Sequence, residues 1–385
     1  MVLKLGLLNV LKAAPKKPFC VPVLDQIVRK PNIFYSVYVL CLTFANEMQK
    51  KTALFVINPI SGTVRKNRVR EIIEQTVDSS VFEWSISLTA HAGHATEIAR
   101  DAAARHVDIV VAVGGDGTVN ETASGLIGSE TALAIVPCGS GNGLARHLDL
   151  PLDVAKAVRV INQGLVHRLD YGLCCGRPFF CTCGVGFDAF ISNKFASSSR
   201  RGPISYMENI LKSGLSYKPQ VYDIEDETGR VIHKAYVVTC ANASQYGNNA
   251  YIAPSASMKD GLLDIVLIEP FNALQAPQIA LQMFNKTLSE NSHVKTFRAA
   301  KVTIRRRQPG VCHVDGDPFD AGREIVVELV HKGINVVVNP NAHAPRLTLH
   351  SILSEPYDSW RKLNRTLWQQ SLKGIRSLTG VNGEK

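Results

Sequence analysis

Between Lys51 and about Asn162 the apolar positions follow two alternating rhythms. Short, nearly continuous apolar stretches appear in "TALFVIN", "VDIVVAVG" and "ALAIVP", with a more mixed one in "FEWSISLT". Between them, "RKNRVREIIEQTV", "HATEIARDAAARH", "VNETASGLI" and "LDVAKAVRVIN" repeat apolar residues at spacings of three and four. The first rhythm predicts strands and the second predicts amphipathic helices. Continuous apolar strands joined by helices imply a parallel sheet covered on both faces. From about residue 165 to 340 the pattern shifts to short alternating stretches such as "RVIHKAYVVTCAN", "GLLDIVLIE", "KVTIRRR" and "EIVVELV". These predict antiparallel strands. Helices are expected around "YMENILKSGL" and "NALQAPQIALQMFNKTL". The reading is an α/β chain with a doubly wound parallel-sheet domain over residues 48–163. An antiparallel β-rich domain follows over 164–344.

The ends do not share this pattern. Residues 1–47 contain one apolar run, "IFYSVYVLCLTFA", which is too short for a normal membrane span. No clear small-residue cleavage site follows it. Met48 reads as the start of the folded body, and 1–47 as an extension with little structure; a peripheral membrane anchor is the rival. The chain carries 43 Lys/Arg against 33 Asp/Glu, and the excess lies at its ends. A neutral body argues against a nucleic-acid stripe. Basic ends suit an anionic membrane surface. The tail, 345–385, reads as a basic amphipathic helix with Trp360, Leu363, Leu367, Ile375 and Leu378 near one stripe.

Nine cysteines without a secretory signal point to reduced, mostly buried thiols in the cytoplasm. The cluster in "LCCGRPFFCTCGVG" lacks the loop spacing of a zinc site and reads as a hairpin. His91 and His94, beside Gly93 at a helix start, read as loop and cap residues.

Four strand exits carry residues that packing alone does not require. These are Asn58-Pro59-Ile60-Ser61-Gly62, then Thr89 with Gly93 and His94, then Gly114 to Glu121, and last Gly139-Ser140-Gly141-Asn142-Gly143. In a parallel sheet such exits share one edge, where ligands bind. Helix N-termini there attract anions, and glycines let a phosphate touch the backbone. Ser61, Thr118 and Ser140 add small hydroxyl donors. Asp116 is the carboxylate at the centre, placed to hold Mg²⁺ or accept a proton, with a helix cap as its plain alternative. No Walker or dinucleotide fingerprint is present.

"NPISG", "GGDGTVNE" and "PCGSGNGLAR", in that order, resemble the diacylglycerol kinase catalytic domain family, which includes bacterial soluble lipid kinases and sphingosine and ceramide kinases. "LDYGLCCGRPFFCTCGVGFDA", "MKDGLLDIVLIE" and "HVDGDP" extend the resemblance through the second domain. It implies a phosphofructokinase- and NAD kinase-like nucleotide domain, and an ATP- and Mg²⁺-dependent kinase acting on a hydroxyl of a diacylglycerol-like or sphingoid lipid. Implied nucleotide contacts are Asn58, Pro59, Ser61, Gly62, Thr89, Gly115, Asp116, Gly117, Thr118, Val119, Asn120, Glu121 and Ser140. A structural Mg²⁺ is implied at Asp260, with backbone carbonyls near Ser257 and Leu262. The expected setting is cytoplasmic, in transient contact with the inner face of a membrane; a homodimer is left open.

Two departures from the family pattern matter. Asp317 stands where the family usually has the Glu proposed as base, and one methylene less shortens its reach by about 1.5 Å. "GSGNGLAR" looks more like the sphingosine kinase form than the bacterial one. Asp188 in "GFDA" matches a carboxylate that faces the lipid head group in sphingosine kinases, where it would meet a substrate amine. A NAD kinase-like enzyme would share GGDG but leaves the other two motifs unexplained. A catalytically silent nucleotide sensor would accommodate Asp317.

Overall fold

The computed structural model describes residues 50–59, 66–196, 217–272 and 274–342. The extension 1–47, Ser61 and Gly62, the helix expected near "YMENILKSGL" and the tail 345–385 lie outside the described residues.

The first rhythm forms β1 (Lys51–Ile57), β2 (Phe82–Leu88), β3 (Ile109–Gly114) and β4 (Ala132–Pro137). The second forms α1 (Lys66–Thr76), α2 (His94–Ala104), α3 (Asp116–Leu126), α4 (Gly143–His147) and α5 (Val154–Gln163). The strands run in the order β2-β1-β3-β4, and β1, β3 and β4 are parallel. Every residue of β3 and β4 is buried, as their unbroken apolar sequence requires. α2 packs on α3 and α1 on α5, the pairing expected of a doubly wound sheet. All four strand exits reach one edge, and the loops they carry touch.

The second part begins with β5 (Val166–Cys174), β6 (Arg177–Phe179), β7 (Thr182–Gly186) and α6 (Phe187–Ala196). It continues through β8 (Gln220–Asp226), β9 (Gly229–Ala235), β10 (Val237–Ala241), β11 (Leu263–Ile268) and α7 (Ala276–Asn285). It closes with β12 (Val294–Ala299), β13 (Lys301–Arg306), β14 (Gly310–Val314), β15 (Asp317–Ala321) and β16 (Glu324–Val337). Six strands form an antiparallel sheet in the order β12-β11-β10-β7-β14-β15.

The remaining strands do not form an independent sheet. β16 pairs with β13 along its first half and with β5 along most of its length. Near its end Val336 pairs in parallel with Leu133 of β4. One ten-stranded sheet therefore runs from the nucleotide-type strands into the β-rich part. Lys332, in the left-handed region at φ 51, marks the irregularity between Val330 and Ile334 that bends β16 from one neighbour set to the next. The buried carboxylate of Asp170 pins that bend, accepting from Lys332 N (2.7 Å) and pairing with His331 Nδ1 (2.9 Å), while its other oxygen accepts from Gly261 N (2.9 Å).

The expected hairpin is present. Cys174 pairs with Arg177 across Cys175-Gly176, both at positive φ, a two-residue turn whose handedness suits twisted strands. Cys174, Cys181, Cys183, Cys240 and Cys312 are buried free thiols, whereas Cys175 at the turn is exposed.

Candidate active site

The third and fourth exit loops meet backbone to backbone. A Cβ on Gly139 would lie 2.5 Å from Gly115 Cα, so Gly139 admits no side chain there, and a Cβ on Gly115 would crowd Gly139 Cα at 3.2 Å. Asp116 locks the contact. Its Oδ1 accepts from Gly143 N at 2.6 Å and its Oδ2 from Asn142 N at 2.9 Å. The helix-cap alternative fails in detail, because no side chain caps α3. Asp116 instead reaches across to the next loop, and each oxygen keeps a second lone pair. Asn142 folds its own loop by bonding both backbone groups of Gly139.

The other exits are tied to this centre. Asn58 Nδ2 donates to Thr118 Oγ1 at 3.1 Å. Thr89 is buried, with its N–H on Ile57 O. Glu121 accepts from Gly93 N (2.9 Å) and Ala95 N (3.3 Å), joining α3 to the start of α2. Val119 is buried in the core, whereas Pro59, Gly117 and Ser140 are exposed. A Cβ on Gly117 would meet nothing within 4 Å, so packing does not explain that glycine.

His91 and His94 stack with Glu97 nearby, a group with metal-like spacing. His94 Nδ1 accepts from Ala90 N at 2.9 Å, which puts the proton of the neutral ring on Nε2 and leaves no lone pair for an ion. His91 lies in the loop and His94 opens α2, and no side chain caps that helix.

From the β-rich side, the turn Asp315-Gly316 delivers two further carboxylates. Both residues have positive φ (49° and 89°) and link Val314 to Asp317 as a two-residue hairpin turn. Asp315 is ringed by donors: Cys181 N (2.7 Å), Phe180 N (2.8 Å), Thr182 N (3.0 Å) and Asn120 Nδ2 (2.8 Å). Asn120 thus bridges α3 to the hairpin instead of facing open space. Asp317 keeps solvent contact although protein crowds most of its sides.

Asp116, Asp315 and Asp317 feel one another. Burial raises Asp116 above the ordinary carboxylate value, with Asp315 adding to the rise and the two backbone N–H groups opposing it. Burial also raises Asp315, against its ring of donors. Asp317 is raised by burial and then by the charges of Asp315, Glu121 and Asp116. A concentration of carboxylates held above their usual range beside glycine loops suits phosphate-metal binding and proton transfer.

Asp260 lies elsewhere. Its Oδ1 accepts from Leu262 N at 3.2 Å and its Oδ2 pairs with Arg298, while Ser257 Oγ accepts from Lys259 N. A cation there would have to displace a guanidinium. Melting temperature measured with and without Mg²⁺ tests the site. A bound ion would give a rise in the wild type that Asp260→Ala abolishes. The ion pair alone would give no Mg²⁺ response and a loss of about 1 kcal/mol in the variant.

Asp188, at the start of α6, is enclosed by Thr239, Tyr246 and His313. Sequence reasoning passed over His313 and Asp315. Both sit in "HVDGDP", where the Asp-Gly turn was the available signal, but their partners lie more than 120 residues away.

Two family models match in tandem: the diacylglycerol kinase catalytic domain over residues 52–174, and the YegS C-terminal NAD kinase beta sandwich-like domain over 181–342. Residues 52–174 of the chain belong to the diacylglycerol kinase catalytic domain family. At family level it is a lipid kinase. A diacylglycerol kinase of Bacillus subtilis (strain 168) is 26% identical over 276 residues, covering 69% of this chain and 90% of that one. A Chromohalobacter salexigens protein named "Probable lipid kinase YegS-like" is 28% identical over 256 residues, covering 65% and 82%. A crystal structure of a Bacillus anthracis diacylglycerol kinase superposes with a TM-score of 0.60 at 22% identity, covering 76% of this chain and 97% of that one, a likeness of fold. Among the described residues of this family member, no helix is long and apolar enough to cross a membrane.

Proposed function

We propose that the protein transfers the γ-phosphoryl group of ATP to a hydroxyl of a diacylglycerol-like or sphingoid lipid, with Mg²⁺. The observation that carries this reading is the meeting of Asp116, Asp315 and Asp317 with the Gly115–Gly139 loop contact at one sheet edge. The residues fit the groups. Gly115, Gly117 and Ser140 offer small, accessible surfaces at a helix start for phosphates, and the spare lone pairs of Asp116 suit a hard cation. Mg²⁺ there would neutralise charge developing on the phosphates. Asp317, the carboxylate with solvent contact, accepts the proton of the lipid hydroxyl. Asp315 holds its turn in place and keeps Asp317 basic.

Labelled ATP offered with lipid micelles, with NAD or with no acceptor tests this directly. Labelled lipid supports it; labelled NAD alone would make the protein a NAD kinase, and nucleotide binding without transfer would make it a sensor.

Asp317 gives a sharper test. Asp317→Asn is expected to reduce turnover roughly 10²-fold or more, and Asp317→Glu to retain most of it. Because burial and then neighbouring carboxylates raise Asp317, activity should fall with decreasing pH at a value above the ordinary carboxylate range. Glu121→Gln removes one like charge, lowers Asp317 and should move that acid limb to lower pH. An acid limb that stays put would remove Asp317 from the proton transfer.

A further inference from the structure

Across the six-stranded sheet, Thr239 on β10, Gly184 on β7 and His313 on β14 stand in one row. Asp188, at the N-terminus of α6, drops its carboxylate onto the middle of that row. Its Oδ2 meets His313 Nε2 at 3.1 Å, Thr239 Oγ1 at 3.0 Å and Tyr246 Oη at 3.2 Å. Its Oδ1 turns back to Ala189 N at 2.7 Å. The space for this is made by Gly184: a Cβ there would lie 2.6 Å from Asp188 Oδ2 and 3.1 Å from His313 Nε2. The side chains of Asp188 and His313 are only 11% and 2% exposed. This is a built, closed pair.

The pair also borders the reaction centre. Gly316 N, in the turn that carries Asp317, donates to His313 Nδ1 at 3.4 Å. An Nδ1 that accepts requires the proton of a neutral ring on Nε2, where it points at Asp188. Burial pushes the imidazole down, but the charge and hydrogen bond of Asp188, with Asp315 beyond, more than reverse this. In either protonation state Asp188 Oδ2 is bonded from inside the protein, and Oδ1 is tied to Ala189 N. When the ring is charged, the pair is neutral as well.

A free carboxylate at this position would favour a lipid amine. Here an ammonium would have to expel His313 from a closed contact, or approach beside an imidazolium. A hydroxyl asks for neither. We infer that His313 occupies Asp188 and thereby sets the site for lipids whose head group is a neutral hydroxyl, against sphingoid bases that carry an ammonium beside theirs. The inference rests on the lipid kinase reading above. His313 acts through Asp188 and is a positioning residue.

The experiment compares kcat/KM for dioleoylglycerol and for sphingosine in mixed micelles, using the full chain, with folding checked by circular dichroism. The wild type should favour the neutral lipid by at least roughly tenfold, since misplaced charge is costly at a desolvated site. His313→Ala should narrow that ratio by about tenfold, chiefly through a lower KM for sphingosine. His313→Gln, which keeps a donor for Asp188, should stay closer to the wild-type ratio than His313→Ala. If the alanine variant does not fold, the wild-type ratio and the Gln variant decide. A wild type that uses sphingosine as well as dioleoylglycerol, or a folded alanine variant with an unchanged ratio, overturns the inference and leaves the kinase reading standing. A wild type that phosphorylates neither lipid overturns the kinase reading, and the inference falls with it.

Discussion

Asp116→Asn is expected to cut lipid phosphorylation by roughly 10²–10⁴ while the protein stays folded. The carboxylate combines two tasks. It accepts the N–H groups of Asn142 and Gly143, which sets the fourth loop against the third. It also supplies negative charge at the start of α3, beside the one glycine of the loop that faces open space. An amide of the same shape keeps one acceptor but turns an NH₂ group toward the other backbone N–H. The loss of stability should be about 1–3 kcal/mol, partly offset because a charge no longer needs to be buried. Steady-state turnover and a thermal melt on the same sample separate the two tasks. Near-normal turnover with a lowered melting temperature would leave Asp116 as a clamp between loops.

Asp315→Ala should have the largest effect on stability, a loss of about 3–5 kcal/mol in urea unfolding. The substitution strands three consecutive backbone N–H groups, Phe180 to Thr182, together with the Asn120 side chain. Each buried donor left without an acceptor costs about 1–3 kcal/mol, and partial relaxation keeps the sum below the simple total. The pH dependence has a definite sign. Burial raises Asp315 in the folded state, so the folded protein holds that proton more tightly than the unfolded chain. The corresponding stability is present at low pH and is lost as pH rises through the raised value. Asp315→Asn, which cannot titrate, should lose that part of the slope. A variant whose urea midpoint follows pH just as the wild type does would place the titration elsewhere.

The local part of this architecture was legible in the residues. The unbroken apolar stretches of β3 and β4 and the helical spacing around Val154–Gln163 need only neighbours in sequence to be read. The four polar exits followed, because a parallel sheet leaves its loops nowhere else to go. What each carboxylate does was less legible. Asp116 read as the central carboxylate of the pocket, with a helix cap as the plain alternative, and its backbone partners are 26 and 27 residues away. Glu121 was grouped with the nucleotide contacts, and its carboxylate also joins α3 to the start of α2. Asp188 resembled a head-group ligand, and only folding brings in His313 from 125 residues downstream. Side-chain chemistry states what a residue can bond. Which partner it finds depends on strand order, and here that order is set by a late strand.

That late strand, β16, has a mechanical consequence. Two lobes joined by a flexible hinge each keep their own ladders, and can swing shut on a substrate at little expense. Here the ladder passes from Val327–Cys174 to Val336–Leu133 within a single strand, so swinging one lobe against the other would shear backbone hydrogen bonds at its centre. Asp116 stands at an exit of that sheet, whereas Asp317 opens β15 of the six-stranded sheet, whose Asp315 turn is tied back to α3 through Asn120. Heat should therefore melt both lobes as one cooperative body.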